Sequence, residues 1–310
     1  MSQNRIEWVM HVWGKRRDTL ELNEVEKYHI DMLQLFQSQY KKFDKILVNI
    51  AMDDDNDTEL FNFLKENISN VLVGGNVEFL HCPNNPDKCE YVTFRPYVFD
   101  RIGEDVNIFY SHFKGYETNI KLFKESYPLR IIDLCEMFWS YLMYQYSMNI
   151  DDVKEKLEDK CTYSWFVLKS KEDSWNIGYY DDYHKCLQSG DERFFDYIKD
   201  DLHKYTPGSF MWYNLKNIGE SLKFEPLITS VTTKYLEEQS KDAKINLCTH
   251  FCESYLMQFL CDDKCYSVND FNEELHNMLN PLYLSIYPSK TIGREYLKDF
   301  EKYLIEKGLI

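Results

Sequence analysis

Short apolar runs alternate with helix-periodic stretches through the first 112 residues, and few features constrain a fold more. The runs are "IEWVMHV" (6–12), "DKILVNIAM" (44–52), "NVEFLHCPN" (76–84) and "VNIFYSH" (106–112). Each is short, rich in β-branched and aromatic residues, and bounded by Gly, Pro, Asn or Asp, as strands are. Between the first two, Asn23 with Glu26 three residues on has the form of a capping box. Val25, Met32, Leu33, Phe36 and Tyr40 then recur at helical spacing, which predicts a helix ending near Tyr40. A second helix is predicted over 58–67, and a third over 90–102, broken or kinked around Pro96. Strand–helix–strand repetition of this kind builds an open, mostly parallel α/β sheet with helices on its faces. Ligands of such sheets bind outside the carboxyl ends of the strands, where βα loops and helix N-termini converge.

The alternation stops after a long apolar helix predicted at 129–148. A strand is expected in "TYSWFVLKS" (162–170), a turn in "TPGSFMWYN" (206–214) with Asn214 capping a following helix, and helices thereafter. These include 247–260 and a last one with Tyr296, Leu297, Phe300, Tyr303 and Leu304 on one face. The expected organisation is a catalytic α/β domain over 1–225 with a helical extension, 226–310, packed on it. The 129–148 segment carries Arg130, Asp133 and Glu136, each expensive in hydrocarbon, so it reads as a buried helix and no membrane span is expected. The first seventeen residues hold no apolar run long enough for a secretory signal, so a cytoplasmic location is expected.

Asp and Glu outnumber Lys and Arg by 52 to 36, which repels polyanions and argues against a nucleic-acid partner. An anionic small molecule would have to be caught by a few placed cations. Nine cysteines at irregular spacing do not make a disulfide framework. The groups His81, Cys82, Cys89 and Cys261, Cys265 lack the paired hooks of a structural zinc site, so reduced thiols are expected.

Three constellations bear on chemistry. The run Asp53, Asp54, Asp55, Asn56, Asp57 follows the second strand. Carboxylates there can hold Mg²⁺ or Mn²⁺ and through it a diphosphate, with Asp53 and Asp55 as the ligands; equally, Asp57 or Thr58 can simply cap the next helix. His112 and Lys114 end the fourth strand beside Gly115, which lets a backbone approach closely; together they can neutralise a phosphate without a metal, or serve as a solvated lysine beside a satisfied histidine. Pro207 and Gly208 turn the chain into Phe210, Met211, Trp212 and Tyr213, which suits either a sugar-stacking surface or a tuck into the core.

The order of these motifs resembles a family of glycosyltransferases with a GT-A-like fold, found in polysaccharide-synthesis clusters and in large viruses and phages. In that family a strand ends in a His-Thr-Lys-Gly-like motif, a Ser-Gly-Asn-Phe-Trp-Trp-like turn follows later, and a helix then carries an Ala-Glu-aromatic element. Here the counterparts are Ser111-His112-Phe113-Lys114-Gly115, Pro207-Gly208-Ser209-Phe210-Met211-Trp212-Tyr213 and Cys252-Glu253-Ser254-Tyr255. Ser209 and Met211 depart from the pattern, and no Asp-x-Asp closes the fourth strand. The resemblance implies transfer of a sugar from a nucleotide-sugar donor to a hydroxyl of a glycan or other acceptor. His112, Lys114 and Gly115 would meet the donor diphosphate, and Asp54 or Asp55 the nucleoside or a divalent ion. Gly208, Ser209, Phe210 and Trp212 would line the sugar and acceptor site, and Glu253 would deprotonate the acceptor. Two other readings fit the residues: a catalytically inactive relative that binds a glycan or protein, and a Mg²⁺-dependent phosphate-handling enzyme built on Asp53–Asp57.

Overall fold

The computed structural model describes residues 5–85, 90–113, 129–164, 210–218, 265–267 and 291–310. Their strands form one mixed, mostly parallel sheet: β1 (Arg5–Gly14), β2 (Lys45–Met52), β3 (Val77–Pro83), β4 (Val106–His112), β5 (Thr162–Ser164), β6 (Met211–Asn214) and β7 (Cys265–Ser267), in the order β3-β2-β1-β4-β6-β5-β7. The first four strands are mutually parallel, β6 runs antiparallel to β4 and β5, and β7 is parallel to β5. The helices are α1 (Glu24–Gln34), α2 (Thr58–Val71), α3 (Tyr91–Tyr97), α4 (Leu129–Ser147), α5 (Ile150–Leu157) and α6 (Thr291–Glu306). This is the helix-flanked α/β architecture expected from the strand–helix alternation. The proposed boundary near 225 and the helix at 247–260 lie outside the described residues.

The period-two pattern of β1 splits its side chains between two layers. Trp8, Met10 and Val12 enter the main core with Val48, Ile50, Leu60, Leu64, Phe109 and Tyr144. Trp8 is fully buried at its centre, its ring 5.5–5.8 Å from those of Tyr40, Phe43 and Phe109, and its indole N–H donates to Ser111 Oγ at 2.8 Å. Burying a ring of this size stabilises by several kcal/mol, on the order of 25 cal/mol for each Å² removed from water. On the opposite face α3 covers the sheet, with Phe94 packed edge-on against Tyr110 and Tyr213.

The capping box forms as expected: Asn23 Oδ1 accepts from the Glu26 N–H, and Glu26 Oε2 accepts from the Asn23 N–H, each at 2.9 Å. The α-helix stops at Gln34, earlier than its periodicity predicts, and Gln37–Lys42 tighten into a 3₁₀ turn. Tyr40 is the reason. It is drawn beneath Trp8 and donates its hydroxyl to the Leu33 carbonyl. The segment around Pro96 breaks as expected, into α3 and a 3₁₀ turn over Phe99–Arg101.

A larger departure concerns 206–214. Met211–Asn214 is a strand rather than part of a turn, with Phe109 opposite Trp212 and Tyr163 opposite the same residue on the other side. Asn214 starts no helix: its Nδ2 donates to the Leu157 carbonyl at 2.9 Å, and its Oδ1 accepts from the Asn217 N–H at 3.4 Å within a short turn. In α6, Leu297, Phe300 and Leu304 are buried, with Phe300 packed on Phe138 and Tyr141. Among the described residues no helix is long and apolar enough to cross a membrane.

Candidate functional site at the carboxyl edge of the sheet

The parallel register brings the ends of β1, β2 and β3 together, and Asp53 ties them. Its Oδ1 accepts from Trp13 Nε1 and from Asn84 Nδ2, both at 2.8 Å; its Oδ2 accepts from the Arg16 N–H at 3.0 Å; its own N–H donates to the Gly14 carbonyl at 3.1 Å. Trp13 is thereby held in one orientation while 42% exposed, and Lys15 Nζ stands 5.3 Å from its ring centroid. An exposed indole usually turns freely. Here a large, partly exposed π-surface is fixed at the edge where α/β sheets bind ligands, with the Lys15 ammonium over its ring.

The loop that carries Lys15 and Arg16 is anchored beneath. Arg17 forms a bidentate pair with Glu26 at 2.7 and 2.5 Å, and also donates to the carbonyls of Lys15 and Glu21. Glu26 is the residue that closes the α1 capping box, so one buried carboxylate sets both the helix start and the loop.

The rest of the acidic run also has structural partners. Asp54 accepts from the Asn56 N–H at 3.1 Å, Asp57 caps α2 by accepting from the Leu60 N–H at 3.0 Å, and Asp55 Oδ1 lies 3.7 Å from His81 Nε2. Asp53 spends both oxygens on Trp13, Asn84 and the Arg16 amide. No three His, Cys, Asp or Glu side chains converge on a cation position among the described residues. To hold a divalent cation together, Asp53 would have to give up these partners and Asp55 its place beside His81. Cys82 is a free, partly buried thiol accepting from Asn49 Nδ2 at 3.3 Å, and burial pushes its pKa up.

Beneath the edge, a polar row crosses three strands. His11 is the register partner of Asn49 on β2 and of His112 on β4. His11 Nδ1 lies 2.7 Å from Thr93 Oγ1, and Asn49 Nδ2 donates to the same hydroxyl at 2.7 Å. Burial, with His112 alongside, lowers the His11 pKa to about 3, so its ring is neutral. His112 ends the row, 7% exposed, with Nδ1 3.3 Å from Glu90 Oε2.

Of the residues singled out in the sequence, His112, Asp53, Asp54 and Asp55 therefore do gather at the carboxyl edge. Trp212 does not. It is 1% exposed, stacks between Phe43 and Phe109 at 5.9 and 5.2 Å, and donates its indole N–H to the Ser147 carbonyl at 2.8 Å. A ring packed on both faces has no surface left for a sugar, so Trp212 is a core residue. Phe210 is likewise buried, against Tyr144, Phe109 and His29. Lys114, Gly115, Gly208, Ser209, Glu253, Cys89 and Cys261 lie outside the described residues. Sequence reasoning passed over Trp13, although an aromatic closing a strand before Gly14-Lys15-Arg16-Arg17 was a usable signal. For Glu90 there was none, because only the seating of α3 brings it to β4.

No family model and no curated protein sequence matches the chain. Among solved structures, the fold is similar to 4-diphosphocytidyl-2C-methyl-D-erythritol synthase from Anaerococcus prevotii, at 13% identity over 86% of each chain with a TM-score of 0.34. A likeness at that level bears on neither substrate nor mechanism.

Proposed function

We propose that the protein is a glycosyltransferase that uses a nucleotide-diphosphate sugar as donor and a hydroxyl of a glycan or other molecule as acceptor. The observation that carries this reading is the Trp13–Asp53 arrangement: an exposed indole locked at the carboxyl end of the central parallel strand, flanked by Lys15 and Arg16, on the same sheet edge as His112. The indole suits a nucleobase, which stacks on an aromatic face for about 1–3 kcal/mol. Lys15, Arg16, His112 and Lys114 suit the diphosphate that must carry the developing negative charge as it leaves. The order of the motifs around His112 and Trp212, with its resemblance to glycosyltransferases, adds the reaction type. In that reaction the acceptor oxygen forms a bond to the anomeric carbon as the bond to the diphosphate breaks. The acceptor's proton passes to a base, for which Glu253 is the candidate that the resemblance supplies.

Metal-assisted phosphate chemistry on Asp53–Asp57 draws less support, because Asp53 and Asp57 already hold the loop and the α2 cap. The test is a thermal-shift panel of nucleotide sugars with and without Mn²⁺, since a ligand that binds only the folded state raises Tm. A donor that stabilises the wild type and loses its effect in both Trp13→Ala and Lys114→Ala, followed by release of nucleoside diphosphate with an acceptor, is the expected result. A bound donor with no turnover on any acceptor would instead identify an inactive binding protein, and no bound donor at all would remove the glycosyltransferase reading.

A further inference from the structure

Asn84 is a polar residue that the reaction outlined above leaves without a role, and both its main chain and its side chain are held at the carboxyl edge. Its N–H donates to the Met52 carbonyl at 2.7 Å, one step past the last register pair of β2 with β3, and its Nδ2 donates to Asp53 Oδ1 at 2.8 Å. The same oxygen accepts from Trp13 Nε1 at 2.8 Å. The Asn84 amide and the indole N–H are therefore neighbours across a single atom, although one follows β3 and the other lies on β1.

Chemistry decides which end of the amide faces Asp53. A carboxylate only accepts, so Asn84 must offer its NH₂ group; the reverse orientation would set a carbonyl against a carboxylate. One N–H and the carbonyl Oδ1 of Asn84 then remain, with no further partner among the described residues. They form a donor and an acceptor on one planar group. A ring stacked on the exposed part of Trp13 lies about 3.5–4 Å from the indole, which brings its rim alongside that amide. Every nucleobase carries a donor and an acceptor along an edge, but at positions that differ from base to base. An amide held in one place favours the base whose pair comes to it.

We propose that Asn84 selects the base of the donor: fixed by Met52 and Asp53, it hydrogen-bonds through its carbonyl and its remaining N–H to the edge of a nucleobase stacked on Trp13. This rests on the nucleotide-sugar reading and gives it a specificity-determining residue. Asp53 then sets the indole and the amide at a fixed separation. Stacking, which any base can do, and edge recognition, which separates the bases, act on the same ring. Holding the amide in advance also removes an ordering cost that binding would otherwise carry.

The experiment is calorimetric titration of the full chain with UDP, CDP, GDP and ADP, with pyrophosphate as the base-free control, in the presence and absence of Mn²⁺. One diphosphate should bind the wild type about tenfold or more tighter than the others, the discrimination that a well-placed pair of hydrogen bonds gives. Asn84→Ala should weaken that diphosphate about tenfold, bring the four to within about threefold of one another, and leave pyrophosphate binding unchanged. The loss should be selective because Asp53 keeps Trp13 Nε1 and the Arg16 N–H as its donors in the variant. An equal loss for all four with the ranking kept would mean that Asn84 serves only to hold Asp53 and the indole, and overturns the proposal while leaving the donor reading intact. An unchanged profile, or a wild type with no preference among the four, does the same. Binding of no nucleoside diphosphate in either metal condition overturns both. Should Asn84→Ala fail to fold, Asn84→Gln, which carries the amide one methylene further out, decides in its place: the ranking should change, and an unchanged ranking overturns the proposal.

Discussion

Mild acid should cost this protein stability through His11 before its carboxylates begin to titrate. The ring is buried beside Thr93, and its pKa falls from 6.5 to about 3, mainly through burial and secondarily through His112. Between those two values the unfolded chain binds a proton that the folded chain refuses. The unfolded state then holds more protons, and unfolding free energy falls as pH falls. The stability is fully present above the unfolded pKa and is lost on the way down toward 3. Each pH unit in that window is worth about 1.4 kcal/mol, so the loss from His11 alone between about pH 7 and about pH 5 is about 2 kcal/mol. Urea unfolding followed by tryptophan fluorescence at intervals across that range reads it directly, since the midpoint moves with stability when the slope is constant. His11→Gln keeps a polar group facing Thr93 and cannot titrate. It should be less stable at neutral pH yet lose about 2 kcal/mol less than wild type on acidification, with the other seven histidines common to both proteins. Parallel losses in the two proteins would refute the assignment of a neutral, buried His11.

Two further perturbations separate core from site. Trp212→Phe keeps the stacking on Phe43 and Phe109 but strands the Ser147 carbonyl, so it should destabilise by about 1–3 kcal/mol in urea unfolding while leaving nucleotide-sugar affinity unchanged; a large loss of affinity at unchanged stability would return Trp212 to the sugar site. Asp53→Ala removes the acceptor of Trp13, Asn84 and the Arg16 amide on an exposed edge, so Tm should drop by only a few degrees while nucleotide affinity, followed by fluorescence quenching, falls about tenfold, because the indole is released from its fixed orientation.

Local signals foretold the first 112 residues well. The runs that became β1 to β4 are short and rich in apolar and aromatic residues, and the caps at Asn23 and Asp57 depend on neighbours three residues away, so sequence alone contains both partners of each interaction. The carboxyl edge followed from the parallel order, and with it the placement of His112 and Asp53. Tertiary structure decided what sits opposite what. Met211–Asn214 is buried on both faces, so it shows no alternation to mark it as a strand, and Pro207 and Gly208 just before it made it read as part of a turn whose aromatics suited either a sugar surface or the core. The aromatic character of Trp212 announced that it would seek a surface to stack on; only the antiparallel register against Phe109 made that surface the core. In the same way Trp13 and Asp53 are 40 residues apart, and Glu90 meets His112 only because α3 is seated over β1 and β4. Such contacts depend on register and helix docking, which are set by the burial of the whole sheet and leave no periodic trace in the residues that make them.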